Sequence, residues 1–185
     1  MALYSYKGIE PKIGEGVYIA PSADVIGLVT LAENVSLWHQ CVARGDINTI
    51  SIGKNTNIQD LTMLHVTGAH GLTIGSNVSV GHSVILHGCQ VGSSCLIGMG
   101  AIILDGAEIG DNCVVAAGSV VPPGKKYPPG SMIMGNPAIV KRALNPQELD
   151  LYGNHYKNYL ESKNEFLDTS IVKLLSSNDK TPSKH

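Results

Sequence analysis

The sequence predicts an all-β solenoid: a parallel β-helix of about six triangular coils followed by a C-terminal α-helix. Two observations carry this expectation. An aliphatic residue returns every sixth position through Ile13, Ile19, Val25, Leu31, Leu37 and the weak member Ala43, and the phase resumes as Ile52, Ile58, Leu64, as Ile74, Val80, Leu86, and as Val91, Ile97, Ile103, Ile109, Val115, Val121. Two positions ahead of the next aliphatic stands a small or β-branched residue, among them Val17, Ala23, Cys41, Thr56, Val84, Cys95, Ala107 and Cys113. Such a period matches neither the helical repeat of about 3.6 nor strand alternation; it is that of short strands joined by tight turns, three to a coil. No unit can bury its apolar side alone, so the core exists only in the stack. Stacked aliphatics also account for a chain with 43% hydrophobic but only 5% aromatic residues.

The elements follow in order. Three interruptions break the phase: a three-residue insertion after Ala43, a loop around Ala69 to Thr73 and a one-residue deletion before Val91, leaving eighteen units or six coils. Past Val121, Pro122-Pro123-Gly124 and Pro128-Pro129-Gly130 read as turns that stop the coil, which places the β-helix at residues 1–130. Asn145-Pro146-Gln147-Glu148 combines a capping residue, a proline at the first helical position and a glutamate at the third, so a helix starts there. Leu149, Tyr152, Tyr156, Tyr159 and Leu160 give it an apolar stripe that packs back on the β-helix, within residues 131–175. Residues 176–185 are polar, contain Pro182 and read as a flexible tail.

Composition excludes several classes. A net charge of −2 with 15% charged residues offers no basic stripe for nucleic acid. No apolar run reaches membrane-spanning length and the N-terminus lacks the apolar segment of a signal peptide, so a cytoplasmic protein is expected. None of the four cysteines forms a CxxC pair; Cys41, Cys95 and Cys113 read as compact core fillers, while Cys89 reads as lying off that slot.

The phase also places the histidines. Arg44, His65 and His87 are each the second residue of a unit on one face and form a column, with coils about 4.8 Å apart. His39, Asp60 and His82 are each the third residue of a unit on the preceding face and form another. His65 and His87 can converge on one metal ion, whereas His82 stands on a different face. A site using all three is therefore expected to be shared between copies, which suits a closed trimer. In that arrangement Arg44 of one copy faces Asp60 of the next as a guanidinium–carboxylate pair, with Asp46 orienting Arg44. His39, His70, His155 and His185 carry no comparable constellation.

These residues resemble a known family. Arg44-Gly45-Asp46, Asn57-Ile58-Gln59-Asp60, His65 and Gly81-His82-Ser83-Val84-Ile85-Leu86-His87-Gly88-Cys89 are similar to the signature of gamma-class carbonic anhydrases. The resemblance implies a left-handed β-helix, a homotrimer, and zinc, with iron or cobalt as alternatives. It implies that His65 and His87 of one chain and His82 of the next are the ligands, and that Arg44, Asp60 and Asp46 form the intersubunit ion-pair group. Gln59 is implied to hydrogen-bond the metal-bound hydroxide or bicarbonate, and Tyr156 to approach the site, ahead of Tyr152. The implied reaction is reversible hydration of carbon dioxide. The chain departs from the family pattern where glutamates move the proton: Ile47 stands beside the Arg-x-Asp segment, and the loop after His65 carries no carboxylate, leaving His70 as the candidate shuttle. Two other readings compete, a hexapeptide acyltransferase or thioesterase acting on an acyl-CoA, and a non-catalytic metal-bound trimer.

Overall fold

The computed structural model describes residues 2–173. It is a parallel β-solenoid of seven coils, because three units lie outside the counted series: Leu3 before it, Tyr127 and Ile133 after it. On the first face Leu3, Val25, Ala43, Leu64, Leu86, Ile103 and Val121 stack in register. The second face stacks Ile13 through Tyr127, and the third Ile19 through Ile133. Beyond their exposed first members Leu3 and Ile13, these columns and the small residues of the inward slot make the core, with Leu64, Leu86, Ile97 and Ile103 fully buried.

The two Pro-Pro-Gly segments are corners within the stack and not its stop. Most corners turn on one residue at positive φ, and Gly124 (66°) and Gly130 (70°) supply it while their N–H groups still donate to the carbonyls of Asp105 and Asp111 one coil below. Only after Ser131–Gly135 does the chain reverse, pairing antiparallel with Ala138–Ala143. Elsewhere asparagines take the corner: Asn34, Asn55 and Asn77 have φ near 60° and link side chain to side chain at 3.4 and 2.9 Å.

All four cysteines are buried. The one-residue deletion puts Cys89 two positions ahead of Val91, which is the inward slot, so the expectation that it stood apart fails on register. Cys41, Cys95 and Cys113 also donate their S–H groups to the carbonyls of Gln59, Gly110 and Pro128 on the following coil. Burial pushes the thiols up, to about 11 for Cys41 and about 12 for Cys89 and Cys95, so none is a nucleophile near neutral pH.

The helix expected from Asn145 is present as two successive segments, α1 (Pro146–Gly153) and α2 (Tyr156–Leu167). Its start is a full capping box, and Arg142 grips the same Glu148 carboxylate at 2.6 and 2.7 Å. Leu149 and Tyr152 pack on Val114, Met132 and Leu144, while Tyr159 and Phe166 pack on Trp38 and Tyr18. Helix α2 also inserts Lys163, which donates to the Gly16 carbonyl at 2.9 Å and the Asn34 side chain at 3.3 Å. The helices thus cover the third face, and its outward residues Ser36, Asn57 and Ser79 become buried. No helix among the described residues is long and apolar enough to cross a membrane. The tail assigned to 176–185 lies outside the described residues.

Candidate metal centre

His87 pairs in register with His65 on adjacent strands, Ile85–His87 and Met63–His65. Their ring centroids are 5.0 Å apart, and Nδ1 of His65 lies 3.0 Å from Nε2 of His87. The strand below, Val42–Ile52, absorbs the three-residue insertion as extended chain. Ala43 pairs with Leu64, so Arg44 follows directly beneath His65. Two residues on, Asp46 contacts both: its Oδ1 is 3.1 Å from Nε2 of His65 and its other oxygen accepts from the Arg44 guanidinium. Partial burial would raise the Asp46 pKa, but hydrogen bonds from His65 and Arg44 outweigh it and hold the carboxyl below its ordinary value.

His82 belongs to the other column. Asp60 sits one coil below it, accepting the His39 backbone N–H on Oδ1 (3.3 Å) and facing His82 Nδ1 with Oδ2 (3.0 Å). The chain does not bring His82 to the His65–His87 pair: among the described residues no group of three His, Cys, Asp or Glu side chains is arranged to hold a metal ion. Within one chain Arg44 meets Asp46, and Asp60 meets His82.

A third carboxylate completes the pattern. Asp105 Oδ1 lies 2.6 Å from Nδ1 of His87, so each of the three imidazoles has one aspartate one coil away. Sequence reasoning did not single out Asp105. It lies eighteen residues after His87, but the one-residue deletion shifts it out of the second-position column that holds Arg44, His65 and His87. The contacts Asp46–His65, His65–His87 and His87–Asp105 link the two imidazoles into one chain between two carboxylates.

Gln59 is fully enclosed, with Nε2 donating to Asn57 Oδ1 at 3.0 Å; Asn57 donates to Ser79 at 2.9 Å, and Ser79 meets His155 Nδ1 at 3.1 Å. His155 thus ties the α1–α2 junction to Gln59, a link invisible to a column-by-column reading. Of the helix tyrosines, Tyr159 is the one stacked on Trp38, and burial with a smaller contribution from Asp60 raises its pKa; Tyr156 is half-buried at the start of α2. His70 is exposed, and its ring carbon Cε1 stands 3.2 Å from where a Cβ on Gly106 would be, beside Asp105. Leu61, next to Asp60, is 57% exposed and held at φ 65°, a conformation costing a non-glycine residue about 1–2 kcal/mol.

The donor set fits a zinc ion on one observation. Two ligand nitrogens on a tetrahedral zinc with bonds of about 2.0–2.1 Å stand roughly 3.3 Å apart. The His65 and His87 nitrogens at 3.0 Å are already near that separation.

Comparison with known proteins decides the kinship. A sequence model for "Bacterial transferase hexapeptide (six repeats)" matches residues 88–123. The carbonic anhydrase of Geobacillus kaustophilus is 43% identical over 159 residues, covering 86% of this chain and 87% of that protein. Gamma carbonic anhydrase 2 of Arabidopsis thaliana mitochondria is 44% identical over 156 residues, 81% of this chain. This chain belongs to the gamma-class carbonic anhydrase family. It spans 56% of the length of the Arabidopsis member and shares the left-handed β-helix of hexapeptide-repeat proteins. A crystal structure of an acetyltransferase candidate from Bacillus cereus superposes with a TM-score of 0.87 at 39% identity, covering 89% of this chain and 96% of that one.

Proposed function

We propose that the protein is a zinc-dependent, homotrimeric carbonic anhydrase whose site joins His65 and His87 of one subunit to His82 of the partner subunit. The observation that carries this reading is the registered His65–His87 pair, with nitrogens 3.0 Å apart, beside a His82 that stands in another column with Nδ1 engaged by Asp60. The outer side of the first face supports a packed neighbour: Met63, Ile85 and Ile102 form an apolar column, and Leu61 and the 60%-exposed Met99 extend it at the corner. Five exposed or half-exposed apolar side chains in one strip are costly in water and gain by burial against a second copy.

Zinc held by three neutral imidazoles generally brings the pKa of its water toward about 7 and so supplies hydroxide at neutral pH for attack on carbon dioxide. The protein groups do the rest. A ligating imidazole must be neutral at the nitrogen that meets the ion, so metal uptake at such a site generally strengthens as pH rises. Gln59, whose amide is held by Asn57, is the group that would orient bicarbonate. Arg44 and Asp60 pair across the subunit boundary in exchange for part of their contacts within the chain, and Tyr156 or the more enclosed Tyr159 closes the site from α2. His70, on the exposed loop beside Asp105, passes the proton to solvent. Iron or cobalt suits the same donors.

The experiment is carbon dioxide hydration by zinc-loaded protein across pH 7 to 9. Acceleration that disappears in His65→Ala is expected; full zinc occupancy with no rate above buffer overturns the enzymatic reading and leaves a metal-bound trimer. The transferase family match and the Bacillus cereus structure favour a second reading, acyl transfer or thioester hydrolysis on an acyl-CoA. Turnover of an acyl-CoA that survives His65→Ala would establish it.

A further inference from the structure

We propose that Asp105 is a positioning residue for the metal, holding His87 as the tautomer that keeps its proton on Nδ1 and leaves the Nε2 lone pair free for the ion. The proposal rests on the zinc reading of His65 and His87. At 2.6 Å the His87 Nδ1–Asp105 contact is short for a nitrogen–oxygen hydrogen bond, as a charged acceptor makes it. Asp105 has no other ion-pair partner among the described residues: Arg44 is engaged by Asp46, Arg142 by Glu148 and Lys126 by Glu108. Its carboxylate is therefore committed to the ring.

The backbone makes room for that contact. The residue after His87 is Gly88, at φ 54°, and a Cβ there would come within 2.7 Å of Asp105 Oδ1 and 3.0 Å of His70 Cβ. Any larger residue at 88 would push the carboxylate off the ring. Asp60 repeats the device on His82, engaging Nδ1 at 3.0 Å and leaving Nε2 outward. The ligand from one subunit and those from its neighbour would then meet the ion with their tautomers already set. His65 differs, because its Nε2 faces Asp46, a carboxylate it shares with Arg44. A carboxylate behind a ligating imidazole fixes ring orientation and raises ligand basicity, and its loss weakens metal affinity by about 10–100-fold.

The test uses the full-length protein with 15N-labelled histidine in two variants. Asp105→Leu keeps the branched shape and removes the acceptor; Asp105→Asn keeps an oxygen that can accept from Nδ1–H. Zinc affinity is measured by competition with a chelator, and the His87 tautomer by nitrogen shifts before zinc is added, assigned with His87→Gln. Asp105→Leu is expected to bind zinc about 10–100-fold more weakly and to lose the Nδ1–H preference. Asp105→Asn is expected to retain the tautomer and most of the affinity. Unchanged zinc affinity in Asp105→Leu, or an unchanged His87 tautomer, overturns the proposal. If the unmodified protein binds no zinc, the zinc reading falls, and the tautomer comparison alone decides whether Asp105 sets His87. Should Asp105→Leu fail to fold, Asp105→Ser, too short to reach the ring, takes its place with the same two outcomes.

Discussion

His65→Ala and His82→Ala subunits, each unable to hold zinc alone, are expected to regain about a quarter of the wild-type zinc and hydration rate when refolded together in equal amounts, because a closed trimer repeats one shared site at every interface. Each site needs His65 from one subunit and His82 from the next. In the mixture the first condition is met by half of the subunits, those carrying His82→Ala, and the second by the other half. The geometry behind this is the separation of the two columns: His65 and His87 pair strand to strand, while His82 is tied to Asp60 on the preceding face. Were all three ligands drawn from a single chain, no combination of the two variants could rebuild a site, and the mixture would stay as empty as its parts.

Leu86→Ala carries the largest expected effect on stability. Leu86 is fully buried between Leu64 below and Ile103 above, and its neighbour in sequence is His87. Truncation removes transfer free energy and leaves a cavity that backbone ladders on either side prevent from collapsing. The expected cost is about 2–5 kcal/mol in denaturant unfolding. Ile85→Ala, one residue away but on the outward side, should cost the isolated chain far less and weaken association between copies instead. A loss below about 1 kcal/mol for Leu86→Ala would mean the column is not close-packed.

Much of the fold was legible because the six-residue phase is a direct physical record of strand and corner. Its limits came from treating the aliphatic as the only marker. Tyr127 fills an aliphatic position with a ring and Leu3 precedes the first unbroken run, so both ends of the solenoid were cut short. Two proline-rich corners looked like stops because proline and glycine mark any turn, and only register tells a corner from an end. In the site, the stacked pair and the outlying histidine followed from phase alone. Asp105 and Cys89 did not, because the one-residue deletion before Val91 shifts the count that places both. Tyr159 and His155 act through a helix docked on the third face, a tertiary contact that no local pattern encodes.

The central claim is that the metal site is made by two subunits, and zinc content per subunit measured together with molar mass in solution tests it most directly, for the unaltered protein and for His82→Ala. A trimer with one zinc per subunit is expected, and loss of zinc in His82→Ala. A monomer that holds a full complement of zinc, or a His82→Ala protein that keeps it, would contradict the shared site.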